Sequence, residues 1–291
     1  MPDTTTFSPA GLRLILLDAD GVLWRGASAL PHAAAFVERA RLAGLRCVLV
    51  SNNSTKDRRS YAGLCARLGI ALGEADIFSS NHIAGPWLAR ERSGQSVLVL
   101  GSAQLHGSVA QHVRECWHAP AWLAQQGLSG FRAESAVYEI LAGLRPRIVL
   151  SGMDTATDYL RHSLACIAIQ QGAELIGTND DISFPVEGGW LLPGSGSQLG
   201  MYAAVCGVEP LVLGKPGLAI LEQVELETGI PRSAMLMIGD RPDTDMALAR
   251  RAGIPGMLVL TGVTGREAAE SLSPRPLIIS DLREAMQLLG I

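Results

Sequence analysis

Residues able to carry out chemistry are concentrated in four short polar segments, each of which follows a run of apolar residues. The segments are Asp18-Ala19-Asp20-Gly21, Ser51-Asn52-Asn53, Gly214-Lys215-Pro216 and Gly239-Asp240-Arg241-Pro242-Asp243-Thr244-Asp245. Together they supply carboxylates, a short hydroxyl with side-chain amides, and one of only two lysines in the chain. Such a set can bind a metal ion and a phosphate group, and it can transfer the phosphoryl group.

Each residue type in this set has its own use in phosphoryl transfer. Carboxylate oxygens suit Mg²⁺, and the metal neutralises charge that would otherwise repel a nucleophilic carboxylate from a phosphate dianion. An aspartate can attack phosphorus. In Asp18-x-Asp20 the second carboxyl lies on the same side of an extended backbone, from where it can protonate the leaving oxygen. Ser51 lies where a helix begins, a favourable seat for phosphate, and Lys215 can hold the phosphate as a point charge.

The elements that must position these residues are those of a parallel α/β sheet. Residues 14–17 form a short, continuously apolar run, which is typical of a strand buried on both faces. A helix over 31–43, a strand over 47–50 and a helix over 57–68 follow, and strands over 211–213 and 235–238 repeat the pattern near the end of the chain. In an open parallel sheet ligands bind beyond the carboxyl ends of the strands. We therefore expect all four polar segments to converge there.

The middle of the chain forms a second α/β pattern. Strands are predicted over 96–100, 147–150 and 174–176, and a glycine-rich loop follows before the last polar segments. The sequence thus predicts a discontinuous doubly wound core formed by residues 1–94 and 208–291. Residues 95–207 are predicted to form an inserted α/β cap.

The four segments, read with their flanking strands, resemble a known family of phosphatases. The motifs LLDADGVLWRG, VLVSNNST, VLGKP and MIGDRPDTDMALA are similar to those of the haloacid dehalogenase (HAD) superfamily. They resemble in particular the subgroup of NagD-like, p-nitrophenyl phosphate, phosphoglycolate and pyridoxal phosphate phosphatases. The resemblance spans nearly the whole chain, and it implies a Rossmann-like HAD core with an α/β cap.

This resemblance also implies a role for each core residue. Asp18 is the expected nucleophile and Asp20 the expected general acid and base. Ser51 and Asn52 are expected to bind the phosphoryl group, and Lys215 to position it. The expected Mg²⁺ ligands are Asp18, the backbone carbonyl of Asp20, and Asp240. Either of two nearby carboxylates is expected to support the metal through hydrogen bonds: Asp243 or Asp245.

Several residues are left with two interpretations. Asp243 either supports the metal or caps the helix that begins near Thr244. Trp24 either lines the pocket or packs in the core, and Phe184 either stacks on substrate or belongs to the core of the cap. The candidates for substrate contact are Asn53, Thr178, Asn179 and Phe184.

Composition limits the class of protein. The chain has 291 residues, of which 48% are hydrophobic and 18% charged, so it can bury a sizeable core. A net charge of −4 with no basic run argues against nucleic acid as the main partner. Five scattered cysteines indicate neither disulfides nor structural zinc. No signal peptide or membrane span is visible, so we expect a cytoplasmic protein that acts on a small phosphorylated metabolite. By analogy with capped relatives we expect a homodimer.

Two rival functions fit the same residues less well. One is a non-catalytic, receiver-like module that is phosphorylated on Asp18 and does not turn over. The presence of Asp20 and of a large cap argues against it. The other is a mutase or phosphonate-type hydrolase on the same core, which usually differs in the cap or in the second aspartate.

Overall fold

The structure is a computed structural model that describes residues 9–186, 188 and 190–291. Its strands are β1 (Leu14–Leu17), β2 (Trp24–Arg25), β3 (Ser28–Ala29), β4 (Arg46–Ser51), β5 (Ile77–Ser79), β6 (Val97–Leu100), β7 (Cys116–His118), β8 (Ile148–Ser151), β9 (Glu174–Gly177), β10 (Ser183–Pro185), β11 (Leu191–Pro193), β12 (Leu211–Val212), β13 (Met235–Gly239), β14 (Gly256–Val259) and β15 (Leu277–Ile279).

The helices of the described chain are short, at most twelve residues each. They are α1 (Ala33–Leu42), α2 (Arg58–Arg67), α3 (Ser80–Glu91), α4 (Ala103–Ala110), α5 (Ala119–Gln125), α6 (Ser135–Gly143), α7 (Tyr159–Gln170), α8 (Ser195–Cys206), α9 (Ala219–Thr228), α10 (Ala247–Ala252), α11 (Arg266–Glu270) and α12 (Leu282–Leu289). A π-helical turn, Pro242–Met246, precedes α10. No helix in the described part of the chain is long and apolar enough to cross a membrane.

The chain divides into two compact units. The first unit contains residues 9–51, 58–79 and 215–291, and the second contains residues 52–57 together with the described part of 80–214. These boundaries differ from the predicted ones, because α3 and the segment 208–214 belong to the second unit. The interpretation of the middle of the chain as an inserted cap stays a prediction.

The first unit is built on a six-stranded parallel sheet with the order β15-β14-β13-β1-β4-β5. Strand β1 is central, and Leu17 lies opposite Ile238 on one side and Leu49 on the other. All four residues of β1 are fully buried, as the continuous apolar run predicts for a strand covered on both faces. Helices α1, α2 and α12 pack on one of those faces. The predicted Rossmann-like α/β core is confirmed.

The second unit has its own parallel sheet of five strands, in the order β12-β9-β8-β6-β7. Helices α5, α6, α7 and α8 contribute apolar side chains to its core, among them Leu141, Leu164 and Tyr202. Strands β10 and β11 form a separate antiparallel hairpin, in which Phe184 is half-buried and lies opposite Leu192.

One predicted element belongs to the other sheet. The sequence predicts a core strand over 211–213, but β12 pairs with β9, with Leu211 opposite Ile176 and Val212 opposite Gly177. The expectation was wrong because a strand of two residues carries no pattern that distinguishes one parallel sheet from another. Lys215 nevertheless begins the last stretch of the first unit, only three residues after this strand.

Candidate active site

Three aspartates and one lysine meet at the carboxyl end of the first unit's sheet. Asp18 directly follows β1, Asp240 directly follows β13, and Asp245 lies in the π-helical turn. One carboxylate oxygen from each of the three lies within 4.8 Å of the other two. The parallel strands deliver these side chains to one edge of the sheet, as the sequence pattern predicts.

Lys215 holds this cluster together from inside the protein. Its Nζ donates hydrogen bonds to Asp18 Oδ1 at 2.5 Å, to Asp245 Oδ1 at 2.7 Å and to the Val50 carbonyl at 3.1 Å. The residue is only 2% exposed. Its three donors are therefore all used, and two of them lock carboxylates in place.

The remaining carboxylate oxygens indicate where a cation would bind. Both oxygens of Asp245 are occupied, since Oδ2 accepts the Arg241 backbone N–H at 3.1 Å. Asp240 Oδ2 accepts the Val263 N–H at 2.8 Å, whereas Asp240 Oδ1 is buried and has no hydrogen-bond partner among the residues that the structure describes. A buried acceptor without a partner is costly, and an ion would satisfy it. The donor set, all hard oxygen, suits Mg²⁺.

Burial shifts the pKa of the three aspartates and of Lys215. It raises the pKa of Asp18 to about 6, with the neighbouring Asp240 charge adding to the effect and Lys215 opposing it. Burial likewise raises the pKa of Asp240 and of Asp245 to about 6. For Lys215, burial lowers the pKa, but Asp18 and Asp245 raise it by more, so it stays protonated. Above pH 6 three carboxylates face one ammonium, and the excess negative charge attracts a divalent cation.

These raised pKa values predict that the folding stability of the metal-free protein falls as the pH rises. In the folded protein the pKa of Asp240 lies above its ordinary value of 3.8. Its favourable contribution to the free energy of unfolding is therefore complete below pH 3.8 and is lost as the pH rises through about 6. Asp240→Asn removes this loss. In EDTA, urea unfolding should show the wild type losing roughly 2 kcal/mol relative to Asp240→Asn between pH 4.5 and 7.5. Parallel pH profiles would contradict the shift.

Gly21 allows the loop that follows β1 to pass close to the Asp240 side chain. It has φ +84°, and a Cβ there would lie 2.5 Å from Asp240 Oδ2 and 2.8 Å from the Gly262 Cα. The motif therefore requires glycine both for its backbone conformation and for space.

Gly21→Ala should destabilise the protein by displacing Asp240. Gly26→Ala is a matched control, because Gly26 also has positive φ, +58°, but has open space around its Cβ position. We expect Gly26→Ala to cost about 1 kcal/mol and Gly21→Ala at least about 2 kcal/mol more in urea unfolding. Equal losses would show that backbone strain alone matters at Gly21.

Tyr61 of α2 lies close to Ser51 and Asp20, and the sequence analysis did not identify it. The Ser51 hydroxyl, at the end of β4, is 3.1 Å from the Tyr61 hydroxyl. Burial raises the pKa of Tyr61 above its ordinary value, and the charges of Asp20 and Asp18 add to the effect. Trp24 is buried and stacks on Tyr61 at 6.1 Å between ring centroids, so the structure shows it packing in the core. Nothing in the sequence marked Tyr61, since it lies on a helix rather than after a strand.

Of the two carboxylates proposed to support the metal, only one lies in the cluster. Asp245 contacts Lys215 and belongs to the cluster. Asp243 is exposed and accepts two hydrogen bonds from the Arg241 side chain, at 3.2 and 2.8 Å. The hydrogen bond from Arg241 lowers the pKa of Asp243, which keeps it ionised. The π-helical turn therefore directs Asp245, and not Asp243, to the cluster.

The other candidates lie in the second unit. Asn179 Nδ2 donates to the Asn52 carbonyl at 2.7 Å, and Asn52 Nδ2 donates to Asp181 Oδ2 at 3.2 Å. Thr178 is fully buried beside them. Within this unit the structure thus joins Asn52 to the loop that follows β9.

Asn53 organises the loop that follows Asn52. Its Oδ1 accepts the Thr55 backbone N–H at 2.8 Å, the Thr55 hydroxyl at 2.9 Å and the Lys56 N–H at 3.1 Å. Phe184 lies apart, in the β10–β11 hairpin. Asn53 therefore has a structural role in its own loop, and its role toward substrate stays a prediction.

Fold and site together define a haloacid dehalogenase-like hydrolase. A family model described as haloacid dehalogenase-like hydrolase matches residues 15–113, and a second, HAD-hydrolase-like model matches residues 212–285. Together they include every residue of the carboxylate cluster and Lys215. The chain belongs to the HAD family.

Individual relatives place the chain among the phosphatases of that family. It is 31% identical over 252 residues to the 5'-nucleotidase YutF of Bacillus subtilis, covering 87% of this chain and 88% of the relative. It is 34% identical over 269 residues to the glycerol-3-phosphate phosphatase of Gallus gallus, covering 89% and 82%. A hypothetical protein from Pyrococcus horikoshii has the same fold, with a TM-score of 0.83, 28% identity, and coverage of 96% of this chain and 100% of that one.

The chain is thus a phosphatase of the NagD-like subgroup, as the sequence motifs predict. These relatives argue against the alternative of a non-catalytic, receiver-like module, because the curated relatives named above are enzymes.

Proposed function

We propose that the protein is a Mg²⁺-dependent phosphomonoesterase that hydrolyses a small phosphorylated metabolite through an aspartyl-phosphate on Asp18. The observation that carries this proposal is the geometry of Asp18. Its Oδ1 is hydrogen-bonded to the buried Lys215, and it lies beside Asp240, whose Oδ1 has no hydrogen-bond partner within the described part of the chain. This arrangement holds a nucleophile and a metal ligand at one point.

In the first step a carboxylate oxygen of Asp18 attacks phosphorus. The new bond joins that oxygen to phosphorus, the ester P–O bond breaks, and Asp20 gives its proton to the leaving alkoxide. Lys215 holds Oδ1 and so fixes the rotation of the carboxylate, which leaves the second oxygen for attack. The Ser51 hydroxyl donates a hydrogen bond to a phosphoryl oxygen.

The residues that would hold the metal are Asp18, the backbone carbonyl of Asp20, and Asp240. Bound there, Mg²⁺ supplies positive charge that offsets the repulsion between the Asp18 carboxylate and the phosphate. Asp245 acts indirectly, because it holds Lys215 at 2.7 Å and keeps that cation oriented toward Asp18.

In the second step Asp20, now ionised, takes a proton from water. The water oxygen attacks phosphorus, the bond between phosphorus and Asp18 breaks, and inorganic phosphate leaves with Asp18 regenerated. Asp20 is exposed, whereas Asp245 and Asp240 are buried. Exposure suits a residue that must exchange its proton in every turnover.

The relatives support a small ester as substrate. Their names specify a 5'-nucleotidase and a glycerol-3-phosphate phosphatase, and both activities remove phosphate from a small hydroxylated molecule. Asn52 stays a proposed phosphoryl ligand, and the candidates for substrate contact stay Asn53, Thr178, Asn179 and Phe184. A cytoplasmic location and a homodimer also stay predictions.

Hydrolysis of p-nitrophenyl phosphate by the purified protein tests this function. We expect release of p-nitrophenol with Mg²⁺, its loss with EDTA, and its return when Mg²⁺ is added in excess. If p-nitrophenyl phosphate gives no signal, a panel of nucleoside monophosphates, glycerol phosphates and sugar phosphates follows. Equal activity in Mg²⁺ and in EDTA would contradict metal dependence, and no hydrolysis of any member of the panel by folded protein would contradict the function.

Removing the Ser51 hydroxyl should weaken phosphate binding without unfolding the chain. A hydrogen bond to a charged group contributes about 1.5–3 kcal/mol, so Ser51→Ala should lower kcat/KM by about 10- to 100-fold. Ser51→Thr is the matched control, because it keeps the hydroxyl. Steady-state kinetics that show equal losses for the two variants would mean that Ser51 acts only through packing against Tyr61.

A further inference from the structure

A segment outside the four sequence motifs, residues 261–264, contacts the carboxylate cluster of the first unit. It follows β14, and it consists of Thr261, Gly262, Val263 and Thr264. Each of these residues lies against Asp240 or against the loop that follows β1. Groups that hydrogen-bond to metal ligands orient them and tune their affinity for the metal. The contacts of this segment therefore bear on the site that is proposed to hold Mg²⁺.

The segment holds Asp240 by its side chain and by its main chain. The Val263 N–H donates to Asp240 Oδ2 at 2.8 Å, and the buried Thr264 hydroxyl donates to the Asp240 carbonyl at 2.6 Å. A carboxylate held by one oxygen is restricted in its rotation, so the direction of its other oxygen is also set. That other oxygen, Oδ1, is the buried acceptor without a hydrogen-bond partner among the described residues. The segment thus determines which oxygen is available to a cation.

Gly262 brings the backbone of the segment against this carboxylate. A Cβ at Gly262 would lie 1.8 Å from Asp240 Oδ2 and 2.3 Å from Asp240 Cγ, so any larger residue must displace the Asp240 side chain. Gly262 does not have a positive φ. The position therefore requires glycine for space and not for its backbone conformation.

The start of the segment is bonded to the loop that carries the other expected ligands. The Thr261 hydroxyl donates to the Gly21 carbonyl at 2.6 Å, and Arg25 Nη2 donates to the Thr261 carbonyl at 2.5 Å. The Gly21 N–H donates to the Trp24 carbonyl at 2.8 Å. Because a trans peptide group is planar, the Asp20 carbonyl of the same peptide points the opposite way. The segment is thus connected to the residue next to the expected backbone ligand.

We propose that residues 261–264 position the ligands of the Mg²⁺ site, an inference that rests on the proposed function. The segment holds Asp240 by Oδ2, so that Oδ1 is left for the cation. It also connects Asp240 to the loop that follows β1. Its residues act through these groups and are positioning residues. A segment that only closed the edge of the sheet would contribute to folding stability and not to the affinity for Mg²⁺.

Isothermal titration of the metal-free, full-length protein with MgCl₂ tests this proposal in the absence of substrate. Thr264→Val removes the hydroxyl that holds the Asp240 carbonyl, and we expect it to raise the Kd for Mg²⁺ by at least about 10-fold. Thr264→Ser keeps the hydroxyl and should bind Mg²⁺ as the wild type does. Thr228→Val is the matched control, because the Thr228 hydroxyl also donates to a backbone carbonyl at 2.6 Å, that of Val224 in α9. It should leave the Kd unchanged.

Gly262→Ala tests the contact with the carboxylate independently. We expect it to raise the Kd for Mg²⁺ by at least about 10-fold, because the new methyl group displaces Asp240. Gly265→Ala is its control, since Gly265 has an ordinary φ of −76° and open space around its Cβ position. Circular dichroism establishes that each variant is folded before it is titrated.

Activity measurements add a second readout for Thr264→Val. Asp240 is still present in this variant, so saturating Mg²⁺ should restore most of kcat, while the Mg²⁺ concentration for half-maximal activity rises by the same factor as the Kd. A Kd for Thr264→Val equal to that of the wild type, or equal losses in Thr264→Val and Thr228→Val, would overturn the inference and leave the proposed function standing. Absence of Mg²⁺ binding by the wild type would instead overturn the proposed metal site, and the inference with it.

Discussion

Asp18→Asn should lower kcat for the best phosphomonoester by at least about 10³-fold, because an amide oxygen cannot serve as the nucleophile. The chain should still fold. Burial raises the pKa of Asp18 to about 6, so its ionised form is a net cost at neutral pH, and the amide removes that cost. Urea unfolding in EDTA at pH 7.5 should therefore show stability equal to or above that of the wild type.

Asp76→Asn is the matched control for this substitution. Asp76 is also an aspartate of the first unit, but its carboxylate pairs with Arg46 at 3.1 Å, in a partly exposed ion pair. It should keep wild-type kcat and lose no more than about 1 kcal/mol of stability. Substantial turnover by Asp18→Asn, measured on protein free of wild-type contamination, would contradict the assignment of the nucleophile.

Lys215→Met should damage both activity and stability. It removes the ammonium that is bound to Asp18 and Asp245 and leaves three neighbouring carboxylates without compensation. Breaking a buried ion pair from one side costs about 3–5 kcal/mol. We expect a loss of that size in urea unfolding without metal at pH 7.5, together with at least about 10³-fold lower kcat.

A second substitution separates the two effects. Adding Asp245→Asn to Lys215→Met removes one of the uncompensated charges, so the double variant should recover part of the lost stability. It should recover no activity, because the cation that orients Asp18 is still absent. If the double variant regained wild-type turnover, Lys215 would have only a structural role. If it were no more stable than Lys215→Met, charge repulsion would not explain the instability.

The fold and the centre of the site were predictable because they depend on local signals. Continuous apolar runs predicted buried parallel strands, and such strands place the residues that follow them at one edge of the sheet. Asp18 and Asp240 are placed in this way, by β1 and β13. Lys215 was marked by its rarity and by its glycine and proline neighbours.

The remaining features depend on longer-range geometry that a sequence pattern does not contain. Asp243 and Asp245 are two residues apart, and only the π-helical turn decides which of them reaches Lys215. Tyr61 joins Ser51 from a helix, across ten residues of chain. Strand β12 was assigned to the wrong sheet because two apolar residues fit either one.

The most direct test of the mechanism is to trap the phosphorylated protein during turnover. The wild type and Asp18→Asn are mixed with a ³²P-labelled phosphomonoester that the wild type hydrolyses, in Mg²⁺, and quenched in acid. Peptide mapping then locates any label. We predict acid-stable, base-labile label on the peptide that contains Asp18, and none in the variant. Label on another residue, or pre-steady-state turnover that never passes through labelled protein, would contradict an aspartyl-phosphate on Asp18.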